Sequence, residues 1–239
     1  MRARFRHTLV CFGSLCLSAC GGGEPPAKSQ HDANDHEPEE HTGAVPEVSA
    51  EIGALNEDQV TRAFQSSLKG LERCLADGAK RVEFLGGSVA FFLKIDAHGK
   101  IAHGHLEKST LGDWETEKCM LEALRSRDWP APVGGKVGLA RKGFDFDPPN
   151  DVRPPTEWDA ERVSGSIGHR AQDIKKCKGG AGGQFNATIY VDTNGSVLAV
   201  GVTPPDEQGA GAVECLVDVL KRTKFNSPGS WPAKVSVDL

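Results

Sequence analysis

Val89-Ala90-Phe91-Phe92-Leu93-Lys94-Ile95-Asp96-Ala97-His98-Gly99-Lys100-Ile101 recurs 96 residues later as Phe185-Asn186-Ala187-Thr188-Ile189-Tyr190-Val191-Asp192-Thr193-Asn194-Gly195-Ser196-Val197. In the first stretch Val89, Phe91, Leu93 and Ile95 alternate with other residues, the period of a strand with one buried face. Asp96-Ala97-His98-Gly99 then supplies an Asx turn and a glycine able to take positive φ, and Asp192-Thr193-Asn194-Gly195 repeats the device. Each stretch reads as a β-hairpin. The pairing extends to Cys119 and Cys215 and to Trp129 and Phe225 at the same offset.

Upstream of the hairpins the offset becomes 103, placing Val60, Phe64, Leu68, Leu71 and Cys74 on Val163, Ile167, Ala171, Ile174 and Cys177. Positions 60, 64, 68, 71 and 75 form a helical stripe. Asn56 with Gln59 makes a capping box, and Leu55 with Val60 a hydrophobic staple. The change of offset means that the second copy lacks seven residues between its first helix and first strand. Asp113 caps a second helix whose inward set is Cys119, Met120, Ala123 and Leu124, matched by Cys215, Leu216, Val219 and Leu220. Arg125 and Arg127, like Lys221 and Arg222, suit its C-terminal dipole. A closing strand follows at 137–146 and again at 234–238. The expected fold class is α+β: two tandem α-β-β-α-β domains at 55–147 and 157–239, the second degenerate. Between them runs a proline-rich linker at 148–156.

The chain has 239 residues, a formal net charge of −5 and 38% hydrophobic residues. That is room for one large or two small domains. Its acidic balance excludes nucleic acid as an expected partner.

Arg2, Arg4, Arg6 and His7 precede an apolar stretch that ends in Leu17-Ser18-Ala19-Cys20. This resembles a bacterial lipoprotein signal peptide (1–20). The arginines stay on the cytoplasmic side, the apolar run is too short for a permanent span, and small residues admit the peptidase. Cys20 is then the lipidated first residue of the mature chain, and lipid is an expected partner. Residues 21–54 read as an acidic, histidine-bearing disordered tether with too few large apolar residues to fold alone. Its r.m.s. span is roughly 30–35 Å. His31, His36 and His41 recur beside carboxylates, a composition that can collect zinc or copper weakly, with a solvated spacer as the simpler reading.

Cleavage leaves four cysteines besides Cys20 in a chain exported to an oxidising compartment, and four cysteines allow three connectivities. In both copies one cysteine ends the first helix and the other begins the second, each expected on the face its helix buries. The expected disulfides are Cys74 with Cys119 and Cys177 with Cys215. Free thiols and a zinc site are the alternatives; no Cys-x-x-Cys occurs.

Cys74, Gly99, Cys119, Trp129-Pro130-Ala131-Pro132 and Phe144-Asp145-Phe146 together resemble the AgmX/PglI C-terminal domain, a module of myxobacterial envelope proteins similar to the TonB C-terminal fold. The second copy keeps Cys177, Gly195, Cys215 and Phe225 but has Asn226 after Phe225 and no Phe-x-Phe. The resemblance implies protein binding at a sheet edge rather than chemistry. A lipid signal in place of an inner-membrane helix argues against an energy transducer. The expected function is a lipid-anchored, periplasm-facing adaptor of a motility, secretion or transport complex. Gly21 after the lipid cysteine favours the outer membrane. A metal-dependent periplasmic enzyme and a peptidoglycan-contacting structural lipoprotein are the alternatives.

The sequence holds no G-x-S-x-G, Walker loop, H-E-x-x-H or EF-hand spacing. No catalytic, metal or cofactor-binding residue is assigned, and no cofactor is expected. His103 and His105 alternate on one strand with His98 in the adjoining turn, the closest approach to a metal cluster in the folded part. An exposed strand face is the simpler reading, because the second copy has Ala199 and Gly201 at these places. Asp145, Asp147 and Asp151 could loosely hold calcium but read as a solvated rim.

Overall fold

Asn56 takes extended backbone and its side chain accepts from the Gln59 N–H, opening helix α1 (Glu57–Gly78). The apolar stripe lays Phe64, Leu71, Cys74 and Leu75 against a sheet. That sheet follows as β1 (Gly87–Asp96) and β2 (Ile101–Ser109), then α2 (Trp114–Arg125) and β3 (Val137–Phe146). Its order is β2-β1-β3, antiparallel throughout. The second half runs β4 (Thr156–Trp158), α3 (Glu161–Gly168), α4 (Ala171–Lys178), β5 (Asn186–Val191), β6 (Val197–Thr203), α5 (Val213–Lys221) and β7 (Ala233–Asp238). A 3-10 turn at Gly209–Ala212 leads into α5. The second sheet has the order β4-β7-β5-β6, with β4 parallel to β7. This computed structural model describes residues 52–149 and 151–239. The signal-peptide reading with Cys20, and the tether reading up to residue 51, lie outside the described residues. Among these no helix is long and apolar enough to cross a membrane.

The mixed α+β class is present, and α-β-β-α-β order recurs in both halves, but four features depart from expectation. Residues 52–54, assigned to the tether, are tied to the first sheet: Ile52 bridges Val137 in parallel, Ala54 bridges Val133, and Gly53 N donates to Val137 O at 2.7 Å. The start of β3 offers unpaired backbone there, and a strand takes it up. Strand β4 makes the equivalent parallel pairing in the second half, Thr156 opposite Ala233, at the end of the stretch assigned to the linker. The second half thus begins with a short parallel strand and the first with two isolated bridges, one parallel at Val137 and one antiparallel at Val133, which glycine-bearing and proline-rich surroundings concealed.

The first helix of the second half is broken at His169-Arg170 into α3 and α4. Gly165 and Gly168 weaken it, and Arg170 leaves helical geometry at φ −101°, ψ 4°. The fourth departure concerns the cysteines. Cys74 pairs with Cys119 and Cys177 with Cys215, with Cα atoms 5.8 and 5.5 Å apart. Only Cys74 is buried; Cys119 and Cys177 are half-buried and Cys215 is exposed. The first bridge therefore runs from the core at Cys74 out to the half-buried Cys119, and the second staples its two helices along their outer seam. With sequence separations of 45 and 38, each stabilises by about 4 kcal/mol through loop closure.

Two core clusters form, one under each sheet, and they exchange members. Tyr190 and Ala199 from the second half lie in the first cluster with Phe64, Phe91 and Met120, while Trp114 from the first half packs on the second. All described residues fall in one compact unit.

The hairpin glycines hold the closing segments. Gly99 and Gly195 have φ of +71° and +83°, and their carbonyls accept from Trp129 N and Phe225 N, each at 2.9 Å. A Cβ at either would collide with the carbonyl of that same aromatic residue. Gly195→Ala is expected to cost about 2 kcal/mol or more. Gly165→Ala, on an open helix surface with nothing within 4 Å, is expected to stabilise by about 0.5–1 kcal/mol. Chemical denaturation of the two variants checks both signs.

Candidate functional site

Helix α2 carries Trp114, Glu117, Lys118, Leu121 and Arg125, a spacing that sets them along one side of the helix. Trp114 packs on the second core cluster, Lys118 Nζ meets Glu214 Oε1 at 2.6 Å, and Glu117 sits against Gly201. This side faces the second half. Lys118 and Glu214 occupy equivalent positions at the 96-residue offset, and the edge strands that approach here, β2 and β6, are equivalent too. Like meeting like is the pattern of an isologous, two-fold interface. Different residues at the equivalent positions make its two sides different.

On one side stands Glu117, 1% exposed. Its Oε1 accepts from Ser109 Oγ at 2.6 Å and from the Gly112 N–H at 3.2 Å. Among the described residues its Oε2 has no hydrogen-bond partner. Gly201 leaves just enough room, since a Cβ there would lie 2.5 Å from both carboxyl oxygens. Burial pushes the Glu117 carboxyl up to about 7; the hydrogen bonds from Ser109 and Gly112 oppose this, the nearby Asp113 adds to it, and Lys234 opposes it. Burial in turn holds Lys234 below the usual lysine range. Asp113 is itself buried, accepting from Arg81 at 2.5 Å and Thr116 Oγ1 at 2.6 Å.

On the other side the equivalents of Glu117 and Gly201 are Val213 and His105, and the equivalents of Trp114 and Glu115 are Ala210 and Gly211. Smaller side chains leave a cavity of about 270 Å³ there, lined by His103, His105, Lys118, Arg125, Glu214 and apolar neighbours. His103 Nε2 and His105 Nδ1 stand 3.2 Å apart. Glu207 Oε1 lies 3.7 Å from His103 Nδ1. Burial first, and the charge of His103 second, hold His105 below the ordinary histidine range.

These histidines do not form the exposed strand face expected of them. His105 is 6% exposed, because the second half covers it. His98 is exposed in its turn and does not line the cavity. Among the described residues no three His, Cys, Asp or Glu side chains are gathered as metal ligands, and Asp145, Asp147 and Asp151 are exposed. Glu117 went unrecognised in the sequence. The signal was there: a carboxylate three residues before Met120 and seven before Leu124, on the apolar stripe of its helix. Comparison with family models, curated proteins and solved structures yields no match.

Because the Glu117 carboxyl rises from an ordinary 4.5 to about 7 on folding, the folded chain binds more protons than the unfolded chain between those values. Its contribution is therefore fully favourable below pH 4.5 and is lost as pH rises through 7. Glu117→Gln is expected to flatten the stability profile between pH 5 and 8 and to exceed the native chain at pH 8 by up to about 3 kcal/mol. Urea midpoints measured across that range test the sign.

Proposed function

We propose that this chain is a lipid-anchored, non-catalytic adaptor of a bacterial cell envelope, held to the membrane through acylated Cys20 and binding a partner protein along β3. The observation that carries the reading is the state of the sheet edges. β2 is turned toward the second half, whereas β3 has ten residues paired with β1 on one side and, among the described residues, only Val137 and its neighbour at 133 engaged on the other. Val137 O accepts from Gly53, so it points away from β1. Backbone groups alternate along a strand, so residues 139, 141, 143 and 145 also present N–H and C=O outward. Arg141 and Lys142 are exposed there. Such an edge accepts a partner's strand.

The lipobox at Cys20, the disulfide-rich composition and the resemblance of each half to the TonB C-terminal-like AgmX/PglI domain support the same reading. The halves are not equivalent as binding units. In the second, β4 already covers the outer side of β7.

Crosslinking in intact cells, followed by affinity capture of the tagged full chain, tests this proposal against two variants. Cys20→Ser removes the lipid. Gly143→Pro removes one outward N–H, at a position where an added Cβ meets nothing closer than 3.8 Å. The expected result is a defined set of envelope proteins reduced about tenfold or more by either change, with circular dichroism unaltered. Equal recovery with Gly143→Pro, or no enrichment by the native chain, would overturn it.

A further inference from the structure

We infer that the cavity between the two halves is a binding site for a small amphipathic carboxylate, an apolar chain or ring bearing one carboxylate group. The site is independent of the β3 edge, because β2 and β3 lie on opposite flanks of β1.

The cavity is walled by Trp114, Leu121 and Val213 and measures about 270 Å³. That is below the range of drug-sized ligands and suits a molecule of roughly ten non-hydrogen atoms. Its polar groups are unequal in what they have left to offer. Lys118 is matched by Glu214 at 2.6 Å. Arg125 gives one N–H to Gly104 O at 3.2 Å, keeps the other donors of its guanidinium, and has no carboxylate among its described ion-pair partners. Among the described residues one positive charge is therefore uncompensated. His105 is the second feature. It is 6% exposed and lines the cavity, one nitrogen is engaged with His103, and among the described residues no protein group bonds the other. A ring nitrogen that no described protein group bonds, on a residue that lines the same cavity as a guanidinium with donors to spare, suits a ligand oxygen.

The charge balance also selects the ligand. With Glu207 matched by Lys94 at 3.6 Å, one spare cation and a pair of imidazoles suit a monoanion, and a phosphate dianion would meet Glu214 with only Arg125 to offset it. Trp114 and the aliphatic wall hold the apolar part by area burial. The asymmetry of the interface points the same way. The two histidines are absent from the other half, where Ala199 and Gly201 stand, and the space exists because Ala210, Gly211 and Val213 are smaller than Trp114, Glu115 and Glu117.

The test is NMR titration of the full chain, following the Trp114 indole N–H, assigned with Trp114→Phe, against phenylacetate, hexanoate and indole-3-acetate up to about 10 mM. Phenylacetamide serves as the uncharged control. The expected result is a saturable shift of the Trp114 resonance with at least one carboxylate. Loss of a charge-assisted hydrogen bond should weaken binding about tenfold or more, both for the amide and in Arg125→Gln. Arg125 is exposed, so this variant retains the core. Leu121→Met, a volume-conserving change in the wall, is expected to alter affinity while leaving the preference for carboxylate over amide intact. Absence of a saturable shift with all three carboxylates, equal binding of phenylacetate and phenylacetamide, or unchanged affinity in Arg125→Gln would overturn the inference.

Discussion

The carbonyl of Gly86 accepts from two side chains of the second half, Tyr190 Oη at 3.3 Å and Lys234 Nζ at 2.8 Å. Beside it Phe84 packs on Tyr190 and Trp231, with ring centroids 5.6 and 6.2 Å away. Both Gly86 and Phe84 belong to the loop between α1 and β1, where the first half carries seven residues that the second lacks. The insertion therefore serves as a clasp. It buries the Tyr190 phenol inside the first core, and burial pushes that phenol's pKa up. Breaking the clasp would return a tyrosine, a phenylalanine and a lysine stem to water, which is why two small sheets persist as one body.

Once the halves are clasped, the remaining geometry follows. β2 and β6, the edges that would otherwise stand open, face one another, and β4 covers β7. That leaves β3 as the long edge free along most of its length among the described residues. The approximate two-fold then has one dry side and one hollow side. Glu117 against Gly201 fills the first, and Val213 opposite His105 leaves the second vacant. A duplication would begin with two alike sides, and the differences now concentrate where the halves touch. Surface ion pairs such as Lys118 with Glu214 add little energy of their own but fix the register of approach.

Most secondary elements were legible in the residues because each is fixed locally. The Asp96-to-Gly99 turn, the Asn56 cap and the period-2 run through Val89 specify their structures without reference to distant parts. The bridges of Ile52-Gly53-Ala54 and the short parallel strand Thr156-Glu157-Trp158 were not legible, since neither stretch has a period of its own, and they pair only because Val133, the start of β3 and β7 offer them backbone. The split between α3 and α4 was hidden by an apolar stripe that continues in phase across it. The burial of His105 and Glu117 could not be read from one copy at all. It depends on what the other copy places over them, and an alignment that treats the copies as equals hides the positions where they diverge. The differing depth of the two disulfides had the same cause: chain order selects partners but not depth.

The two halves as a single cooperative body is the premise on which the shared site and the open β3 edge both rest. Native-state hydrogen exchange of the full chain across a denaturant series tests it most directly, using core amides such as Phe91 in β1 and Ile189 in β5. A clasped body predicts that both amides merge into one global unfolding isotherm with the same free energy and denaturant slope. Separate isotherms, with the amides of β5 opening at lower free energy while those of β1 stay protected, would contradict it.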